Sequence, residues 1–199
     1  MSNAEVNDVT ITKPPIHLGD IMNSREISIS LPKGFTPLER ILLTANGNVQ
    51  RIISSYYNSP VTVEIISNQL KNSSNTDSVN VYEREVNLHC MNNICCNAVS
   101  TIKVSNEDYI DLIENQKVGV GQLFRYCNLL PEFVLLNVGK NEEKKIFFRF
   151  YILKSNGIEI NIKETFPLNV FEFSSVKGEK GGIFTENLST VNGLASYDN

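Results

Sequence analysis

The sequence predicts an α+β fold, in which an antiparallel β-sheet carries helices on one side. Segments with helical spacing and segments with alternating polarity follow one another as helices, strands, helices and strands. Short turns join two pairs of the strands, whereas a parallel sheet would need repeated strand–helix–strand units. The 199 residues show no break in composition, so we expect one domain over residues 25–173. The polar ends predict a flexible N-terminal arm (1–24) and a flexible C-terminal tail (174–199).

The helices before the first strand begin at a capping motif. Thr36 suits the N-cap, Pro37 the first helical position, and Glu39 completes a capping box. Asn46-Gly47 interrupts this helix, and a second helix follows over residues 49–58. Two more short helices are predicted between the strands, at residues 105–113 and 118–130.

The strands are predicted from alternation, and a polar loop is expected at residues 71–80. The predicted strands cover residues 61–66, 81–90, 95–104, 145–153 and 158–166. Met91 to Ile94, with Asn92-Asn93 at its centre, and Asn156-Gly157 supply the two hairpin turns.

Composition excludes several classes of function. The formal net charge is −4 and the basic residues form no stripe, which argues against nucleic acid and against an anionic membrane as partners. No apolar run approaches the roughly 20 residues of a membrane helix. Four cysteines are too few for a disulfide scaffold. We therefore expect a cytoplasmic protein, either a monomer or a weak homo-oligomer.

Two charged side chains are predicted to point into the core. In the strand 81–90, Arg84 shares a face with Val86 and Leu88, and in the strand 158–166, Glu164 shares a face with isoleucines. Burying an unpartnered charge costs several kcal/mol, so each group needs a partner. Either the two pair with each other or with backbone groups, or Arg84 holds a ligand carboxylate while Glu164 acts as an acid or base.

Other polar residues give weaker indications. If Asn92-Asn93 forms the turn, Cys90 faces Cys95 while His89 faces Cys96 across the sheet, so the four side chains do not converge and we predict no metal site. The segment Gly119 to Gly121 is a glycine-rich turn before a helix. Its backbone N–H groups approach a ligand in one interpretation, and it is an ordinary turn in the other.

At this point the sequence resembles the chorismate lyase (chorismate pyruvate-lyase) family, in its archaeal, cyanobacterial and plastid-type branch. The cysteine- and asparagine-rich hairpin at residues 90–96 departs from the family, and Ala98 stands where some members have glycine. The segments that carry the resemblance, in the family's order, are Glu39-Arg-Ile-Leu-Leu-Thr-Ala-Asn-Gly-Asn-Val-Gln-Arg51, Arg84-Glu-Val-Asn-Leu88, Val120-Gly-Gln-Leu-Phe124, and Arg149-Phe-Tyr151 with Glu164-Thr-Phe-Pro167.

The resemblance implies a fold and a set of roles. The fold is an antiparallel sheet whose helices close over an internal ligand pocket. Arg84 takes the place of the arginine that binds the substrate carboxylate, and Glu164 that of the essential acid. Val49 and Val120 fall at backbone contacts to the ligand, and Gly121 is counted with them as a substrate-binding residue.

The implied reaction is the removal of pyruvate from chorismate, which gives 4-hydroxybenzoate and needs no metal or organic cofactor. Arg84 and Glu164 are the catalytic residues of this hypothesis. Arg149 is a second candidate anion contact, although its strand is apolar on both faces and its direction is ambiguous. The alternatives are a non-catalytic binder of a small aromatic carboxylic acid and a structural domain with a buried ion pair.

Overall fold

The computed structural model describes residues 18–22, 26–73, 79–114 and 120–174. In chain order the elements are β1 (Gly19–Met22), β2 (Ile27–Ser30), α1 (Pro37–Thr44), α2 (Val49–Tyr57), β3 (Val61–Ser73), β4 (Asn80–Cys90), β5 (Asn93–Val104), α3 (Glu107–Glu114), α4 (Val120–Tyr126), β6 (Glu132–Asn141), β7 (Ile146–Ser155) and β8 (Ile158–Pro167).

The six longer strands form one antiparallel sheet in the order β3-β4-β5-β8-β7-β6. The α+β class and the antiparallel sheet predicted from the sequence are therefore confirmed. β1 and β2 pair separately in a small antiparallel ribbon, and β1 includes residues 19–22 of the predicted arm. Residues 1–17, 23–25 and 175–199 lie outside the described residues, and with them most of the predicted arm and tail.

The first two helices begin and end for the reasons that the sequence supplies. The Thr36 hydroxyl accepts a hydrogen bond from the Glu39 N–H at 3.3 Å, and the Glu39 carboxylate accepts one from the Thr36 N–H at 2.8 Å. This completes the predicted capping box. Gly47 and Asn48 have positive φ angles of 66° and 61°, which explains why the helical run breaks between α1 and α2.

One face of the large sheet is buried and the other is partly exposed. Arg84, Leu88 and the alternate residues of β8 from Ile158 to Phe166 all lie on the buried face. Buried side chains from the four helices join them in a single core. Among the described helices, none is long and apolar enough to cross a membrane.

Two strands of the large sheet differ from the prediction. β6 was not predicted, because its run of apolar residues shows no clear alternation and lacks a strong turn at its start. β3 continues to Ser73, into the segment expected to be a polar loop. Its pairing with β4 explains the extension, because Asn72 pairs with Val81 and Ser73 with Asn80 after a register shift at Lys71.

The cysteine hairpin also turns one residue earlier than predicted. Met91 and Asn92 are its central residues, with φ angles of 51° and 63°, as a tight primed turn requires. Cys90 therefore pairs with Asn93. Further from the turn, the pairing of β4 with β5 shifts in register between His89 and Leu88. The expected pairings of Cys90 with Cys95 and of His89 with Cys96 are both wrong, since His89 pairs with Ile94. Cys95 and Cys96 are both buried.

Candidate functional site

A small cavity of about 70 Å³ lies over the buried face of the sheet. It is smaller than the roughly 300–1,000 Å³ of typical small-molecule pockets. Its walls are largely apolar, with Val86, Leu88, Leu153 and Ile162 from the sheet. The other lining residues used below are Val49 of α2, Val120 of α4, Arg84 of β4, Ala98 and Ser100 of β5, and Glu164 of β8.

Strand order and register explain why there is room between the two predicted charged residues. Arg84 pairs with Ser100, and Glu164 pairs with Ala98. β5 therefore separates the strands of the two charged residues by two strand spacings, or about 10 Å, and the two residues are also offset by two positions along the strands. Since both β5 residues have small side chains, they leave a depression between Arg84 and Glu164. The floor of the cavity is thus a consequence of the small residues on the central strand.

Arg84 stands in the wall of the cavity with 2% of its surface exposed. Burial lowers the pKa of its guanidinium, because removing a charge from water disfavours the ionised form. The Ser100 hydroxyl donates a hydrogen bond to the Arg84 carbonyl at 3.4 Å, which ties the two strands at this point. The guanidinium of Arg84 thus stands in the wall of the cavity.

Glu164, 7% exposed, is held from the side opposite to Arg84. Arg149 lies directly across from it on β7, and the Arg149 Nε atom donates to Oε2 at 2.6 Å. The Tyr151 hydroxyl donates to Oε1 at 2.9 Å. Both donors come from β7, so this strand fixes the orientation of the carboxylate at the cavity wall.

Arg149 lies behind Glu164 and is fully buried. Its Nη1 atom donates to the carbonyl oxygens of Leu43 and Ala45 at the end of α1, and its guanidinium lies 4.3 Å from the ring centroid of Tyr151. Burial opposes the charge, but the carboxylate of Glu164, together with Tyr151 and Cys96, raises the pKa of Arg149 above its usual value. Burial and the same carboxylate raise the pKa of Tyr151 well above its usual value.

The structure brings four of the six predicted site residues to one cavity. Arg84, Glu164, Val49 and Val120 all line it. Arg149 is not among the described residues that line the cavity. Its side chain instead donates a hydrogen bond to Glu164 from behind. Gly121 follows Val120 in α4, and Gly119 of the predicted glycine-rich turn lies outside the described residues.

Tyr151 is the site residue that sequence reasoning missed. It stands two residues after Arg149 and therefore shares its face of β7, but the strand reads Phe-Phe-Arg-Phe-Tyr, with apolar residues on both faces. The register with β8 decides the direction, since it places Arg149 opposite the inward-facing Glu164. The pairing of β7 with β8 therefore decides the direction of Arg149, which the alternation of residues within β7 leaves ambiguous.

The arrangement can bind an anion and can accept or relay a proton. A guanidinium and a carboxylate lie at two ends of an apolar space, a combination suited to a ring compound with a carboxylate. Within the described ranges, no group of three or more His, Cys, Asp or Glu side chains could hold a metal ion. No protein-family model matches the sequence, and the comparison with curated proteins gave no match.

Proposed function

We propose that the cavity binds chorismate and catalyses the elimination of pyruvate from it, which gives the aromatic acid 4-hydroxybenzoate. The observation that carries the proposal is the pair of buried charges, Arg84 and Glu164, on the wall of one apolar cavity. Its floor is formed by Ala98 and Ser100 of β5, which lies between the strands of Arg84 and Glu164. In this proposal the helices α2 and α4 close over the ligand.

Arg84 would bind the ring carboxylate of the substrate. A guanidinium presents two parallel N–H donors to a carboxylate, and burial strengthens that interaction. Val49 and Val120 would present backbone groups on the helix side of the cavity. Asn48, the N-cap of α2, makes no side-chain capping bond, which leaves the first N–H groups of this helix without that acceptor.

Glu164 would transfer the ring proton. The ring loses a proton from the carbon that carries the hydroxyl group, while the neighbouring carbon loses its bond to the enolpyruvyl oxygen. The ring then becomes aromatic. Enolpyruvate leaves and becomes pyruvate when its methylene carbon gains a proton, so no net proton is consumed. Glu164 would take the ring proton and return it, with Arg149 and Tyr151 holding the carboxylate in place.

The reaction is redox-neutral and its driving force is the aromatic product. Catalysis then requires orientation, exclusion of water and one positioned acid–base group, and all three are functions of this chain's own side chains. We accordingly assign no metal or organic cofactor to it. A cytoplasmic location is part of the proposal, because the cysteines at 90, 95, 96 and 127 are free thiols and thiols persist in reducing compartments.

Turnover of chorismate by the purified protein tests the proposal. We expect formation of 4-hydroxybenzoate, with losses of about 100-fold or more in kcat/KM for Glu164→Gln and for Arg84→Ala. Glu159→Gln and Lys103→Ala are matched controls, since these residues pair with each other on the partly exposed face of the same sheet. Absence of product, or equal rates in site and control variants, would overturn the lyase assignment.

One observation favours a second candidate, a non-catalytic receptor for the aromatic acid. Both oxygens of Glu164 already accept hydrogen bonds from Arg149 and Tyr151, an arrangement that would also serve a rigid binding wall. This candidate predicts calorimetric binding of 4-hydroxybenzoate, lost in Arg84→Ala, without turnover of chorismate.

A further inference from the structure

A polar hollow adjoins the mouth of the central cavity, between α2 and α4. Asn48 and Gln50 line both the cavity and the hollow, so the two spaces are adjacent. The polar residues that line the hollow are Asn48, Gln50, Arg51, Ser54, Gln122 and Arg125. A ligand moving between solvent and the cavity on this side would therefore pass these residues.

Among the described residues that line the hollow, Arg51 and Arg125 are the charged ones. Both are exposed, and within the described part of the chain neither forms an ion pair or a side-chain hydrogen bond. They come from different helices, Arg51 from the first turn of α2 and Arg125 from the last turn of α4.

This local charge is opposite in sign to that of the whole molecule. The chain carries a net charge of −4, so a small anion is repelled on average by the protein and attracted here. Two cations beside a concave surface raise the local concentration of anions and increase association rates. The neighbouring amides Gln50 and Gln122 add hydrogen-bond donors for oxygen atoms.

We propose that Arg51 and Arg125 form a second anion-binding site at the cavity mouth, which captures small oxyanions before they reach Arg84. The ligand class is a carboxylate or phosphate group held by two guanidiniums. The capture role rests on the proposed function of the cavity, whereas the anion site itself does not. The site is exposed, so its effect on binding falls as salt screens the charges.

The anion site is tested directly with inorganic phosphate, followed through the Nε–Hε NMR signals of the arginines. We expect saturable shifts of the Arg51 and Arg125 signals, both in the natural sequence and in Arg84→Ala. In Arg51→Gln/Arg125→Gln, the phosphate-dependent shifts of neighbouring backbone amides should disappear. Linear, non-saturating shifts, or shifts that spread evenly over the exposed arginines and lysines, would overturn the site.

The capture role is tested with 4-hydroxybenzoate and its uncharged amide, 4-hydroxybenzamide. At about 20 mM salt, Arg51→Gln/Arg125→Gln should slow association of the carboxylate about tenfold, and at about 0.5 M salt the difference should shrink to within about twofold. Association of the amide should be unchanged. The control Lys103→Gln/Lys163→Gln removes the same charge from the partly exposed face of the sheet and should have little effect.

The outcomes separate the two proposals. If the control slows association as much as the arginine variant, or if the arginine effect persists at high salt, capture by Arg51 and Arg125 is wrong. If 4-hydroxybenzoate fails to bind while phosphate still saturates the arginine signals, the proposed function and the capture role fail and the anion site stands.

Discussion

At the scale of single residues, the buried pair of Arg149 and Glu164 determines how the site is built. Removing two charges from water is costly, and a short, well-aligned contact with further hydrogen bonds compensates for it. The pair has these features, since Nε and Oε2 lie 2.6 Å apart and Tyr151 and two carbonyl oxygens take part. Arg149 therefore points inward from an apolar strand because Glu164 lies across from it on β8.

This leads to a stability prediction. Arg149→Met leaves Glu164 buried without its cation, and we expect a loss of about 3–5 kcal/mol in the free energy of unfolding. Replacing both residues, as Arg149→Met/Glu164→Leu, should cost less than Arg149→Met alone, because no orphaned charge remains. Urea unfolding of the single and double variants measures both.

The exposed pair of Lys103 and Glu159 on the same sheet serves as the comparison. Lys103→Met should change the free energy of unfolding by less than about 1 kcal/mol, because water screens this pair. If Arg149→Met/Glu164→Leu is less stable than Arg149→Met, the prediction is wrong. Glu164 would then stabilise the fold even without Arg149.

At the scale of elements, the turn between β6 and β7 contains a residue with an unfavourable backbone conformation. Lys145 has a φ angle of 52°, a region that side chains other than Gly, Asn and Asp rarely occupy. Its carbonyl accepts a hydrogen bond from Leu168 at 2.9 Å, and any residue can supply that acceptor.

Lys145→Gly should therefore stabilise the protein by about 0.5–1 kcal/mol. The matched control is Lys144→Gly in the same turn, which also replaces an exposed lysine but lies outside the positive-φ positions. There glycine only adds freedom to the unfolded chain, so we expect a loss of about 0.5–1 kcal/mol. Thermal unfolding of the two variants should shift in opposite directions, and shifts of the same sign would contradict this account.

Sequence reasoning predicted elements well where local signals agree with packing. The capping box at Thr36 and the inward faces of β4 and β8 are confirmed, because burial of one face imposes a period of two on the side chains. It failed at β6 and at the direction of Arg149, where both faces are apolar and only pairing with the neighbouring strand decides. The cavity floor depends likewise on Ala98 and Ser100 lying between two particular strands.

At the scale of the whole molecule, the sheet and the helices share one core that includes the buried tyrosines Tyr82 and Tyr151. Tyr82 donates to Glu114 at 2.6 Å and Tyr151 donates to Glu164. Burial, and then the neighbouring carboxylate, raises the pKa of Tyr82 to about 12. Burial also raises the pKa of the Cys95 thiol to about 12. These groups therefore keep their protons to higher pH in the folded protein than in the unfolded chain.

The consequence is a loss of stability at alkaline pH. An unfolded tyrosine ionises near pH 10, whereas folded Tyr82 keeps its proton to about pH 12. Between these values the unfolded chain binds fewer protons than the folded one, so stability falls as pH rises. Urea midpoints measured between about pH 8 and pH 11 should decline less steeply in Tyr82→Phe than in the natural sequence. Tyr126→Phe, which alters an exposed tyrosine, should leave the decline unchanged. Equal declines in both variants would mean that Tyr82 ionises without opening the core.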